Sequence, residues 1–337
     1  MTLWPSLIDV ARWAPSPHNV QPWRVRLVGE RDAELLIDST RTLPQEDTTG
    51  SFILLTMGMF LRTVEIVAAA RGLRLATTLL HEPAWYAPTI LEARGPTMIP
   101  FARMRLDDDP GVRPDFDPAL IERRMTSRLP LRPDPVPPGA AADLARVATA
   151  GGHRFETITD PVRIERILER DAEALFHDLN QPGYHDEIVS WFRFTDGASL
   201  RHRDGLDHRC MNTSPIAYWT TARMPWLLRT PVMRAIMRRV YRRQLGPVPT
   251  LGLLAGAFWE PAHAFETGRV LMNFWLSVTR HGLFIHPYGN LVTNRDAARW
   301  LREETGVADI WLVFKIGVSD PPPRSRRRSL EEILIAD

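Results

Sequence analysis

Lysine is almost missing from this chain: Lys315 is the only one, so 41 of its 42 basic residues are arginine. Arginine presents a planar fork of donors that suits phosphate, although a genome rich in G and C produces the same bias without functional meaning. Cysteine is as scarce. With Cys210 alone, no disulfide can form within the chain, and zinc or iron–sulfur sites built from several cysteines are excluded. No apolar run reaches the length a bilayer requires; the longest, near Phe52 to Leu61, is too short. The opening MTLWPSLIDVARW lacks a basic region followed by an apolar one, so no signal peptide is expected. There is no Walker loop, no GxGxxG after a strand and no GxSxG elbow. A net charge of only +2 does not favour a nucleic-acid partner, even with a basic tail. Together these absences lead us to expect a cytoplasmic protein with no stable membrane insertion.

What is present is a chain of 337 residues, 44% hydrophobic and 24% charged, enough for one large core or two modest ones. The spacing of Leu7, Val10, Ala11 and Ala14 predicts a first helix with Ser6 as its N-cap. Strands are expected at Trp23 to Val28 and Ala33 to Ile37, around the turn Gly29-Glu30-Arg31-Asp32. A long helix apolar on several faces follows from Phe52 to Arg71, stopped by Gly72 before a strand at Leu73 to Leu80. Beyond a Pro- and Asp-rich linker near residues 107 to 118, helices are expected at Ala140 to Ala150, Pro161 to Asp178 and Phe265 to His281. Late strands are expected at Leu253 to Trp259 and Ile310 to Val318. The junction His281-Gly282-Leu283 echoes Arg71-Gly72-Leu73. That echo suggests two related halves, residues 1–110 and 119–337, the second carrying an insertion at 180–250.

Four segments can carry chemistry. In APSPHNVQPW, residues 14–23, Ser16, Asn19 and Gln21 offer hydrogen-bonding groups on a segment that Pro15, Pro17 and Pro22 keep out of helix. Such a loop can grip the edge of a flat heterocycle, or it can be an ordinary connection whose side chains satisfy their own backbone. RRMTSR, residues 123–128, sets Arg124 and Arg128 about the hydroxyl of Thr126; this can bind a phosphate or be a solvated basic turn. In GLFIHPYGN, Pro287, Tyr288, Gly289 and Asn290 form a turn in which Gly289 permits close backbone approach. The tail RSRRRSLEEIL places Arg326, Arg327 and Arg328 together.

The first segment resembles the Pro-Ser-x-x-Asn-x-Gln-Pro-Trp signature of the nitroreductase superfamily of FMN proteins. RRMTSR is similar to the superfamily's Arg-x-Ser/Thr-x-Arg/Lys element, GLFIHPYGN to its Pro-x-x-Gly stretch, and the tail to its basic ending before Leu-Glu-Glu. The resemblance implies an α+β fold of antiparallel or mixed sheets wrapped by helices. It implies that Pro15, Ser16, Asn19 and Gln21 contact the flavin, that Arg124 and Thr126 take its phosphate, and that Arg128 lies near N1/O2 of the ring. It further implies that the 287–290 turn gives a backbone N–H to N5 and that one or two of Arg326, Arg327 and Arg328 reach the phosphate. Many members carry an acidic residue near that turn; this sequence has none there. Nitroreductases are usually homodimers whose sites draw on both protomers. Here the first motif lies only in the first half and the other three only in the second, so one site per chain and an internal pseudo-dimer are expected, as a monomer or a homodimer. This arrangement is similar to single-chain twinned nitroreductase-like proteins of mycobacteria and related bacteria, in which a lid can cover the flavin.

The resemblance implies an NAD(P)H-dependent oxidoreductase that reduces nitroaromatic or quinone-type acceptors through flavin N5, with no protein acid or base required; the alternative is a protein that only sequesters FMN. The insertion contains the basic amphipathic stretch Met224 to Arg243, open to three readings: a lid, a membrane-surface helix or an ordinary surface helix. His202, His208 and Cys210 lack the spacing and the fourth ligand of a structural metal site, so no metal is expected.

Overall fold

A computed structural model describes residues 3–224, 226 and 230–335. The first half runs from helix α1 (Leu3–Ala11) through the hairpin β1 (Trp23–Leu27) and β2 (Asp32–Asp38) to the long helix α2 (Ser51–Ala69). It continues with β3 (Leu73–Leu79), α3 (Pro83–Glu92) and β4 (Met98–Asp108). These strands lie in the order β1-β2-β4-β3 with every neighbouring pair antiparallel. Ser6 sits inside α1 rather than capping it, its hydroxyl bonded to the Leu3 carbonyl at 2.7 Å, because Trp4 is buried and draws the helix start back to Leu3.

After α4 (Ala119–Arg123) the same sequence of elements returns. Helix α5 (Pro138–Ala150) precedes β5 (Arg154–Ile158). The connection that follows carries α6 (Pro161–Asp178), α7 (Pro182–Ser190), β6 (Phe192–Arg193), α8 (Asp196–His202), β7 (Leu206–Asp207), α9 (Pro215–Arg223) and α10 (Pro231–Leu245). Then come β8 (Leu251–Ala255), the long helix α11 (Pro261–Arg280), β9 (Phe284–Pro287), α12 (Asn290–Thr293), α13 (Arg295–Thr305) and β10 (Ile310–Gly317). The second sheet has the order β5-β8-β10-β9, again antiparallel throughout. In both halves, therefore, the strands lie first-second-fourth-third, with a long helix between the second and third. The connection between β5 and β8 takes the place of the short β1–β2 turn, and it begins upstream of residue 180.

The two long helices pack on each other more extensively than any other helix pair. Two glycines set their approach. A Cβ on Gly58 would stand 2.1 Å from the Phe265 carbonyl oxygen, and one on Gly268 would stand 2.1 Å from that of Leu55. Fourteen residues beyond each crossing glycine stands a second, Gly72 and Gly282, each with φ of +69°; each turns the chain out of its helix where an L side chain would be strained. A common core of buried residues drawn from both halves includes Trp23, Phe60, Phe101, Phe274 and Phe314. Helix α2 is long and apolar enough by composition to cross a membrane, yet most of it is buried within the protein.

Two strands of five or more residues escape the sequence pattern, β4 and β5. Strand β4 contains Pro100, which the sheet accommodates at a register shift opposite Leu35 and Leu36. Its exposed face carries Arg103 and Arg105, which masks the strand pattern, and its last residues, Asp107 and Asp108, fall within the stretch expected to be linker. The last element brings the tail home: after α14 (Leu330–Ile333), β11 (Leu334–Ile335) pairs parallel with β1, Leu334 beside Val25. The second half thus returns to the edge of the first sheet and carries the tail arginines past residues 14–23.

Candidate functional site

The loop between α1 and β1 is built around backbone that side chains seldom adopt. His18, Asn19 and Gln21 have φ of 46°, 57° and 53°, left-handed values for three non-glycine residues within four positions. Such strain persists only where the surroundings enforce it. Here the Ser16 hydroxyl accepts the Gln21 N–H at 3.0 Å, and the tail does the rest. The Asn19 amide donates to the Arg326 carbonyl at 3.1 Å and its oxygen accepts from Arg327 at 2.9 Å. The Arg328 backbone N–H donates to the Gln21 side-chain oxygen at 2.9 Å. The large connection clamps the same loop: the Gln21 amide donates to the Arg203 carbonyl at 3.0 Å, and the Gly205 N–H donates to the Asn19 carbonyl at 3.3 Å. The side chains of Asn19 and Gln21 thus act as struts between loop, tail and connection. Pro15 is buried behind them.

Four guanidinium groups converge on Trp13, at the start of this loop. Those of Arg324, Arg327 and Arg12 stand 3.7, 5.4 and 5.6 Å from its indole ring centre, and Arg124 donates to its carbonyl at 3.3 Å. Arg12 and Arg324 have carboxylate partners in Asp9 and Glu122. Arg124 and Arg327 are 5% and 7% exposed and have no carboxylate partner among the described residues. Burial, with the neighbouring Arg327 and Arg324, lowers the Arg124 pKa to about 9; burial, joined by Arg324 and Arg12, lowers that of Arg327 to about 10. Buried charge without a counterion is costly, so the cluster is built to receive an anion.

The tail arginines do not act alike. Arg328 turns to the opposite side, donating to the Gln21 and Glu332 carbonyls, and belongs to the framework. Arg326 contributes its carbonyl to Asn19. Only Arg327 joins Arg124.

Thr126 forms a β-bridge with Ile285, and the Ser127 N–H donates to the Ile285 carbonyl at 3.1 Å, which fastens the 123–128 segment to β9. Arg128 then lies buried among polar residues. It donates to the Cys210 carbonyl at 3.3 Å, burial lowers its pKa, and its charge is felt at His18, His286 and Lys315. His286 is held well below the usual imidazole range by burial, with Arg128 and Lys315 adding to the effect; it is neutral. Burial, followed by Arg128, lowers Lys315 to about 8.

In the 287–290 turn, Tyr288 is buried against His286, ring centres 5.0 Å apart, while Pro287 pairs with Phe314 on β10. Asn290 points elsewhere: its amide donates to Asp178 and to the Tyr184 hydroxyl, both at 3.0 Å. At Gly289 an acidic group is present after all, since a Cβ there would lie 3.6 Å from a Glu46 carboxylate oxygen. The sequence shows no acid beside this turn because Glu46 comes from the other half of the chain. Glu46 pairs with His18 at 2.5 Å, and Glu187 accepts the backbone N–H groups of Gln45 and Glu46. Burial opposes protonation of His18, but Glu46 outweighs it and the pKa is raised. Trp13, His18, Glu46, His286 and Arg324 are given no role by the sequence. His18, His286 and Arg324 lie inside the first, third and fourth segments, which is the signal that could have found them; Trp13 and Glu46 lie outside all four.

Several buried polar atoms among the described residues lack any hydrogen-bond partner: Nε of Arg124, Arg128, Arg326 and Arg327, Nδ1 of His18 and His286, and the Tyr288 hydroxyl. Unpartnered buried groups are rare and ask for an explanation. These come from all four motifs and include both donors and acceptors, which is the inventory a polar, anionic ligand would satisfy.

No family model matches the chain. It is 24% identical over 97% of its length to the Mycobacterium tuberculosis protein named "Putative NAD(P)H nitroreductase acg", covering 94% of that protein. A second protein of that organism, "Putative NAD(P)H nitroreductase Rv3131", is 26% identical over 55% of this chain and 50% of its own. Among solved structures, the FMN-dependent nitroreductase NfnB from Mycobacterium smegmatis, in complex with NADPH, is 18% identical. That match covers 63% of this chain and 94% of NfnB at a TM-score of 0.38. A nitroreductase from Bacteroides fragilis with bound FMN is 13% identical, with 62% and 91% covered and a TM-score of 0.35. At such TM-scores the structural matches have no bearing on how the site is read. The chain is thus similar along almost its entire length to a protein named as a nitroreductase, with the four motifs in place.

Proposed function

We propose that the chain is an FMN-dependent oxidoreductase that takes reducing equivalents from NAD(P)H and delivers them to a nitroaromatic or quinone-type acceptor. One observation carries the reading: two buried arginines without counterions, Arg124 and Arg327, 203 residues apart in sequence, meet at Trp13 of the α1–β1 loop. A phosphate monoester supplies the charge they lack. The residues present fit the whole group, since the unpartnered atoms of Arg128, His286 and Tyr288 provide contacts beyond the phosphate.

In this reading Arg124 and Arg327 hold the phosphate, supported by Arg324, Arg12 and the hydroxyl of Thr126. Arg128 places a buried cation beside the ring and favours negative charge there, an effect strengthened by exclusion of water. Pro287, Tyr288 and Gly289 pack at the ring, and Ser16, Asn19 and Gln21 hold the strained loop that shapes its edge. When bound, FMN supplies the hydride-transfer chemistry, for which the chain provides binding, orientation and electrostatics. All parts come from one polypeptide, so each chain carries one complete site, residues 1–110 and 119–337 are the duplicated units, and a monomer is sufficient. We place it in the cytoplasm.

A second reading, FMN sequestration, has its own observation. Arg203, Gly205 and Cys210 of the large connection bond directly to the loop and to Arg128, as a lid would. Anaerobic addition of NADPH or NADH separates the two. Bleaching of the bound flavin band establishes the oxidoreductase, and a band that only dithionite bleaches establishes sequestration.

A further inference from the structure

Helix α10 carries apolar side chains outward as well as inward, where Met237, Tyr241 and Leu245 pack on the protein. Its inward side carries Arg238 and Arg242, which pair with Glu169, Glu173 and Glu165 of α6, and Tyr241, whose hydroxyl donates to Asp171 at 2.8 Å. Its outward side carries Val232, Ile236 and Val240, 73%, 49% and 41% exposed, with Arg239 and Arg243 exposed on the same face. The spacing of 232, 236, 239, 240 and 243 is that of one helical stripe. An ordinary surface helix keeps its outward side polar.

The surrounding chain has one sign of charge. Between Asp207 and Glu260 there is no acidic residue, while eight arginines occur. Arg239 and Arg243 have no carboxylate partner among the described residues. Ile216 and Trp219 on α9, and Trp226 in the segment leading to α10, are exposed as well, at 79%, 49% and 56%. Aliphatic side chains flanked by arginine, with tryptophan nearby, are what the boundary between headgroups and acyl chains accepts. A second protein surface would have to supply carboxylates for Arg239 and Arg243 that this segment cannot offer to a copy of itself.

We propose that the outward face of α10, with Arg239 and Arg243, is a peripheral docking surface for an anionic lipid bilayer. The helix lies in the interface with Val232, Ile236 and Val240 toward the acyl chains and the two guanidiniums at the phosphates. This is attachment without insertion of a spanning segment, and it does not depend on the flavin reading.

The test is co-sedimentation of the full chain with extruded vesicles of phosphatidylcholine alone and of phosphatidylcholine with phosphatidylglycerol, at low and high salt. Binding is expected only to the anionic vesicles and should fall as salt rises. Arg239→Glu with Arg243→Glu should weaken it by more than about tenfold, since each arginine near such a surface contributes about fivefold. Ile236→Asp should weaken it comparably, with an unchanged circular dichroism spectrum and melting temperature as the folding control. Equal recovery with both vesicle types, or binding untouched by both variants, overturns the proposal. So does concentration-dependent dimerisation that Ile236→Asp abolishes in a chain that ignores the vesicles, which would make the face a contact between copies.

Discussion

Arg124 shows how a single residue can be read from its lack of company. It is buried against the Trp275 ring, 4.5 Å from the ring centre, bonded to one carbonyl, and left with Nε unpartnered. A charge-assisted hydrogen bond to phosphate is worth about 1.5–3 kcal/mol. Arg124→Ala should therefore raise the FMN dissociation constant by about tenfold to a hundredfold, while affinity for riboflavin, which lacks the phosphate, changes little. Equal losses for both ligands would place Arg124 outside the phosphate contact. His18 supports a different prediction. Its folded pKa is raised above 6.5 by Glu46, so the pair adds stability that is full below pH 6.5 and lost as the pH rises through the folded value. His18→Gln should lower the melting temperature at pH 6 and have a smaller effect at pH 9. At this scale the sequence is informative about which residue types matter and silent about their direction. Arg326, Arg327 and Arg328 are indistinguishable in a run of three, and only the folded tail separates Arg327 at the anion cluster from Arg328 in the framework. Glu46 was hidden for the same reason, being 243 residues from the turn it faces.

Between elements, the contact that organises the molecule is the crossing of α2 and α11 at Gly58 and Gly268. Any side chain at either position meets backbone, and overpacking of this kind costs about 1–3 kcal/mol. Gly58→Ala and Gly268→Ala should each lower stability to chemical denaturation by at least that amount, and the double variant should not be additive, because once the helices are forced apart by one methyl the other has room. Both long helices were legible from their apolar composition and their glycine stops. The reason for Gly58 and Gly268 was not, because a glycine within a helix pattern says nothing about what crosses it. Strand β4 was hidden by its proline and by arginines on its exposed face, and the short β5 by lying against a turn. Those two strands are what make the sheets equivalent, so the duplicated order, guessed from one repeated junction, becomes explicit only in the fold.

Over the whole molecule, the chain closes on itself: the tail that ends the second half adds β11 to the sheet of the first and delivers Arg327 on the way. Removing residues 324–337 should abolish FMN binding and lower the melting temperature, since it strips both the anion cluster and the covered edge of β1; retention of both properties would show the tail to be ornamental. That one site per chain forms was inferable from the distribution of motifs between the halves. What the connection between β5 and β8 does was not, because its contacts with Asn19, Gln21 and Arg128 run through backbone groups that carry no residue signature. The most direct measurement is an equilibrium titration of flavin-free, full-length chain with FMN, followed by the quenching of flavin fluorescence. Saturation at one FMN per chain, weakened in both Arg124→Ala and Arg327→Ala, is the predicted result; no binding, or saturation at two per chain, would contradict a single site assembled from both halves.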